Sequence, residues 1–174
     1  MEIHFRTWLK YILLACLIAS LAACGYRFSG SGELPGNLGK LSIETFKNRT
    51  GETGIESVIT SDISHEFTRA AKASITGRKE ADAVLTGVIK SARSSTISHI
   101  TSHTTGGRRI TVTVDAELLD PEGKVLWSAS GISASEEYDA SGDKLATEQR
   151  KKSAIARLSG RLAERIYYRM TDDF

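Results

Sequence analysis

Few side chains in this sequence could do chemistry, and most sit in company that argues against it. Cys24 is the exception, because a thiolate is easily formed and alkylated and this one directly follows Leu21-Ala22-Ala23. His99 and His103 would share one face of a strand, with His65 a third candidate. Two imidazoles with no cysteine or close carboxylate to complete the set do not make a zinc site, so they read as polar positions on an extended hairpin. Ser94, Ser95, Ser98 and Ser102 lie in neither a Gly-x-Ser-x-Gly elbow nor a Ser-x-x-Lys pair and read as strand serines. Gly30-Ser31-Gly32 lacks the strand before it and helix after it that would turn backbone amides onto a phosphate. Glu136, Glu137 and Asp139 could hold a cation or act as acid and base, but an acidic loop ahead of a helix N-terminus suits the helix dipole and explains them more simply. No metal and no cofactor is expected, and for want of a convergent titratable cluster no catalytic step either.

The setting of Cys24 is the order a secretory signal needs. Arg6 and Lys10 are followed by an uncharged stretch from Tyr11 to Ala23. As a helix that stretch spans about 20 Å, short of the roughly 30 Å hydrocarbon core, so it does not read as a permanent span. Leu21-Ala22-Ala23-Cys24 resembles the bacterial lipobox. That resemblance implies alkylation of the Cys24 thiol, cleavage between Ala23 and Cys24, and acylation of the new amino terminus, with palmitate among the chains expected. Residues 1–23 are then a removed signal, and two or more acyl chains are enough for stable anchoring. Asn48-Arg49-Thr50 fits a glycosylation sequon, which carries little meaning in a bacterial chain.

Composition agrees. Of the two cysteines, Cys16 lies in the discarded segment, so acylation of Cys24 leaves no thiol for a disulfide and stability must come from an ordinary core. About 150 residues remain, enough for one domain. Loss of Arg6, Lys10 and Glu2 takes the net charge from +2 to +1, so attraction to an anionic partner must come from local patches, and no nucleic acid partner is expected.

The elements follow from pattern. Residues 24–40 are glycine-rich and read as a flexible tether, leaving 41–174 as a single domain. Leu41 to Phe46 reads as a strand, and Thr53 with Glu56 has capping-box spacing ahead of a helix with Ile55, Val58, Ile59, Ile63 and Phe67 on one face. Ala73 to Thr76 and Ala83 to Lys90 read as strands, the latter extended through the polar run Ser91 to Thr105 toward a turn at Gly106-Gly107. Ile110, Val112, Val114, Ala116 and Leu118 then alternate with polar residues in strict period two. Asp120-Pro121-Glu122-Gly123 is a type I turn by composition, returning the chain into a strand from Lys124 to Ala134 in which Trp127 packs on the sheet. A final helix from about Lys144 to Met170 carries Ile155, Leu158, Leu162 and Ile166. The expected fold is an α+β two-layer sandwich: two helices on one face of a mixed, mainly antiparallel sheet of about four strands.

Several segments together resemble the lipopolysaccharide-assembly outer-membrane lipoproteins of the LptE-like family. They are Cys24-Gly25-Tyr26-Arg27-Phe28-Ser29-Gly30, Leu34-Pro35, Leu41 to Phe46 with Asn48-Arg49-Thr50, Glu66-Phe67, Ala81-Asp82-Ala83-Val84-Leu85-Thr86-Gly87, Gly123-Lys124-Val125-Leu126-Trp127 and the C-terminal helix. The resemblance implies a chain seated in a large outer-membrane β-barrel as plug and assembly aid while the complex inserts lipopolysaccharide into the outer leaflet, with direct contact to lipopolysaccharide also in view. It implies no enzymatic step. Gly25 rather than aspartate after the lipidated cysteine resembles the pattern of outer-membrane destination, facing the periplasm.

The alternative is a tethered activator of a periplasmic cell-wall synthase, or a secretion-channel accessory. At about 3.3 Å per residue, residues 25–40 reach only about 50 Å, which favours a partner in the same membrane. Arg157, Arg161, Arg165 and Arg169 recur every fourth residue on the last helix. They read either as a wet helix face or, for Arg161 and Arg165 with Arg108 and Arg109 nearby, as a contact for acidic groups of the barrel or of lipopolysaccharide. On the second reading, glutamate at Arg161 and Arg165 leaves the fold intact and weakens association.

Overall fold

The computed structural model describes residues 38–70, 74–97 and 106–172, all of which fall in one compact unit. Ala23, Cys24, the signal, residues 24–37 of the tether, Ser98, His99, Ser102 and His103 lie outside the described residues. The elements run β1 (Lys40–Ile43), β2 (Lys47–Asn48), α1 (Ile55–Ala70), β3 (Ser74–Ile75), a 3-10 turn (Arg78–Glu80), β4 (Ala83–Ile97), β5 (Gly107–Leu119), β6 (Val125–Asp139) and α2 (Lys144–Asp172). The sheet order is β3-β1-β4-β5-β6, with β2 also on β4. The short strands pair parallel, whereas β4, β5 and β6 form an antiparallel meander, so the sheet is mixed as expected. It has six strands rather than about four: the strand read from Leu41 to Phe46 is confined to β1, a separate two-residue β2 follows at Lys47–Asn48, and the short strand read from Ala73 to Thr76 takes the edge as β3.

The core lies on one face of this sheet. Ile110, Val112, Val114, Ala116 and Leu118 of β5 are all at 0% exposure, so the period-two pattern is a buried face without exception. Both helices cover it. Ile55, Ile59, Ile63 and Phe67 repeat every fourth residue along α1, and Ile155, Leu158, Leu162, Ile166 and Met170 form the stripe of α2. The helices meet at Phe67 and Tyr167, whose rings pack edge to face with centroids 5.4 Å apart, while the Tyr167 hydroxyl donates to the Ala70 carbonyl at 2.9 Å. Val58, expected on the apolar face, is 36% exposed and sits at its margin.

Two sequence segments acquire a mechanical meaning. Asp82 accepts the N–H groups of Gly39 and Lys40 at 3.0 and 2.8 Å, pinning the start of β1 beside β4. Gly87 leaves room for the ring of Phe46, which is 1% exposed and lies where a side chain from residue 87 would stand. The capping box does not form as expected. Gly54, at φ +85°, precedes α1, and the Glu56 carboxylate accepts from the Asn48 amide at 2.8 Å. That amide nitrogen also donates to the Glu52 carbonyl, so the sequon asparagine is engaged in holding its own turn.

Glu136, Glu137 and Asp139 are not in a loop. The β6 strand continues to Asp139, because the alternation of Ile132, Ala134 and Tyr138 on the core side carries through them with Glu136 in register. The helix-capping acid is instead Asp143, whose carboxylate accepts the Leu145 N–H at 2.8 Å and whose carbonyl accepts the Thr147 N–H at 3.1 Å.

Candidate docking surface

The face of the sheet opposite the helices carries most of the chain's unused polar chemistry. Its odd-numbered β5 residues form rungs with β4 and β6: Ser91, Thr113 and Ser133; Arg93, Thr111 and Ser135; Ser95, Arg109 and Glu137. Short hydroxyl side chains keep this surface low, and charged pairs punctuate it. Lys90 faces Asp115 at 3.4 Å, and Arg109 donates to Glu137 at 2.6 Å. Asp115 also accepts the N–H of Gly131, which sits at φ +70° at the β6 bulge. Lys47, Arg49 and Lys90 surround a shallow cavity of about 170 Å³ whose other wall holds Asp115 and Glu117. A larger cavity of about 600 Å³ opens between the start of β5 and end of β6 on one side and the first half of α2 on the other, lined by Gly107, Tyr138, Asp139, Gln149 and Arg150 among others.

The arginine row does something else. Arg157 Nε donates to Glu136 at 2.7 Å, and Arg161 bonds both the other Glu136 oxygen and, at 2.6 Å, the Ser135 carbonyl. Arg165 bonds the Ser133 carbonyl. The row therefore runs along the outer edge of β6, the last strand of the sheet, and occupies carbonyls that would otherwise be free to pair with a foreign strand. Hydrogen bonds from Arg157 first, then Arg161, hold the Glu136 carboxyl below the usual glutamate range.

This arrangement gives Arg161 and Arg165 acceptors within the chain, while Arg157, Arg165 and Arg169 remain exposed. Of the two arginines read beside them, Arg109 lies on the helix-free face with Glu137, whereas Arg108 stands exposed on the helix-covered face, on the rung of Tyr138. Helical periodicity shows which arginines align but not which strand they cross, and here they cross an edge. Ser94 bonds the Tyr138 hydroxyl at 3.1 Å, Ser95 is exposed on the helix-free face, His65 is exposed on α1, and Trp127 is buried in the sheet. Among the described residues, no group of three or more His, Cys, Asp or Glu is placed to hold a metal ion.

Sequence reasoning missed two polar links. Ser159, fully buried in α2, donates to the Asp62 carboxylate of α1. Lys151 joins Glu52 and Glu148, each at 2.9 Å; burial would depress its amine, but the two carboxylates outweigh this and raise it. A serine inside the Leu158 to Leu162 stripe was the available signal for the first.

A family model described as lipopolysaccharide-assembly, LptE, matches residues 38–170. A search of curated protein sequences finds no match. Among solved structures, lipoprotein B from Nitrosomonas europaea is similar at 16% identity and a TM-score of 0.54, covering 83% of this chain and 88% of that one. A minor lipoprotein from Acinetobacter baumannii is similar at 12% identity and a TM-score of 0.50, covering 77% and 91%. At such identities the structures speak to the fold alone.

Proposed function

Because the chain belongs to the LptE lipopolysaccharide-assembly family, we propose that it is an outer-membrane lipoprotein, anchored through acyl chains on Cys24, that assists assembly of the barrel translocon for lipopolysaccharide and plugs its lumen. The observation that carries this reading is the family match across residues 38–170, which takes in nearly all of the described domain. The geometry is compatible in a specific way. One sheet face is spent on the helices, and the other is a low surface of hydroxyls and ion pairs, suited to the polar interior of a β-barrel. The role is one of binding and positioning, with no catalytic step. No helix among the described residues is long and apolar enough to cross a membrane, so on this reading attachment rests on the acyl chains.

Extraction of membranes in mild detergent, with a tagged full chain as bait, tests the proposal. A large outer-membrane β-barrel protein recovered in near-stoichiometric amount is the expected result. Recovery of a cell-wall synthase or a secretion channel in its place would overturn it.

A further inference from the structure

The three edges of this sheet are treated differently. The β6 edge is closed by the Arg161 and Arg165 guanidinium groups and interrupted by bulges near Leu126 and Gly131. The β3 edge is only two residues long. The third edge exists because β2 covers β4 only at Val88 and Ile89, where the Arg49 N–H reaches the Ile89 carbonyl at 3.0 Å. Beyond that point β4 has β5 on one side and nothing from the described residues on the other.

Which backbone groups this leaves outward can be deduced twice. The Leu85 and Ile89 carbonyls point away from β5, toward Glu44 and Arg49, and the extra residue at the bulge between Ile89 and Ser91 reverses that parity. From the other side, Ser133 and Ser135 face outward to the arginines, so Thr113 and Thr111 face β4, and Ser91 and Arg93 face back toward β5. Both routes put the N–H and C=O groups of Ala92, Ser94 and Thr96 on the open side, and no hydrogen bond among the described residues reaches them. The run to Ile97 is about 20 Å long. It contains neither proline nor lysine, and its single charge, Arg93, has no ion pair among the described residues.

We propose that the outer edge of β4 from Ala92 to Ile97 is a strand-addition site, taking an extended segment of a partner polypeptide that carries an acidic side chain opposite Arg93. Unpaired backbone groups in register recognise a peptide backbone and little else, and the exposed guanidinium selects the charge. A second copy of this chain fits poorly. Ala92 to Ile97 contains no Asp or Glu, so a second copy paired through this same run would offer Arg93 no acidic side chain. A closed barrel wall has no edge strand to give, so the segment comes from a loop or terminus of the partner.

The inference rests on the reading that the chain works docked to another protein. Recovery of that protein with the tagged chain tests the docking, whereas pairing along β4 tests this proposal alone. The test places a photoreactive benzophenone amino acid at position 95 of the full chain in living cells and maps the adduct by mass spectrometry. Adducts confined to one short segment of one partner, containing Asp or Glu, are expected. They should fall at least tenfold in Ser94→Pro, because that N–H lies outside the β4–β5 ladder and its loss leaves the fold intact. Ser94→Lys with Thr96→Lys, which blocks an edge without touching the backbone, should do the same. No adduct, an adduct to a second copy of the chain, adducts undiminished in these variants, or unfolding by Ser94→Pro while Ser95→Pro is tolerated would each overturn it.

Discussion

Gly87→Ala is a small change with a large expected cost. A Cβ built there stands 2.6 Å from the Asp115 carbonyl and overlaps the ring of Phe46. The carbonyl belongs to β5, at the rung where Val88 pairs with Asp115, and can move only by opening the β4–β5 ladder. The ring must therefore leave its site. Displacing a fully buried phenylalanine costs up to about 3–5 kcal/mol when the site cannot collapse, and overpacking relieved by backbone shifts costs about 1–3 kcal/mol. Replacing a strand glycine by alanine returns only about 0.5–1 kcal/mol. The net expectation is a loss of about 3 kcal/mol, which at a urea m-value of about 2 kcal/mol/M moves the midpoint down by about 1.5 M. Urea unfolding of the domain beginning after Cys24, followed by far-ultraviolet circular dichroism, measures it. Phe46→Leu in the same chain should recover part of the loss, giving a coupling of about 1 kcal/mol or more. A midpoint within 0.3 M of wild type, on the order of 0.6 kcal/mol, would refute the argument that ring and glycine are matched.

Glu136→Gln should flatten the acid limb of stability. A carboxyl held low by Arg157 and Arg161 stabilises the fold above the ordinary glutamate pKa of about 4.3, and that contribution is lost as pH falls through the lower folded value. Urea midpoints from pH 7 down to pH 3 should therefore fall less in the variant than in wild type. Arg161→Glu with Arg165→Glu removes donors from two edge carbonyls and sets carboxylates beside Glu136, so a loss of about 2 kcal/mol, seen as a thermal midpoint lower by about 5 °C, is expected before any effect on binding. An unchanged midpoint would mean that these bonds to the β6 edge carry no stability. Cys24→Ser should abolish incorporation of a clickable fatty acid, whereas equal labelling of both chains would remove the lipobox from the account.

Much of the fold was legible because burial is one-sided. The alternation from Ile110 to Leu118 and the fourfold spacing of Ile55, Ile59, Ile63 and Phe67 state which face is apolar, and a face is what periodicity reports. The misreadings share a cause. Glu136 broke the apolar alternation and made β6 look finished at Ala134, although its charge is answered by α2, some twenty residues further along. For Arg161 and Arg165 the helix alone shows only that they align; their acceptors within the chain are carbonyls, which every residue has and no sequence pattern marks. The strand count came out low because β2, at two residues, is too short to carry a period.

The same limitation explains why the docking surface was less legible than the core. Hydroxyls at Ser91, Ser95, Thr111, Thr113, Ser133 and Ser135 are dispersed over three strands, and only register brings them into rows. What register also reveals is an asymmetry of cost. Closing the β6 edge uses Arg161 and Arg165 together with the partly sheltered Glu136, all of which must be ordered and partly desolvated for a modest return. A chain that spends so much on one edge yet, among the described residues, leaves Ala92 to Ile97 with backbone groups outward is exposed to nonspecific pairing there, unless that edge is occupied when the protein is at work. Selection for solubility alone would place a lysine or a bulge in this run, as it placed bulges in β6. The open edge and the closed one are therefore best understood together, as one sheet protected against strands in general on its far side and kept available to a particular one beside β2.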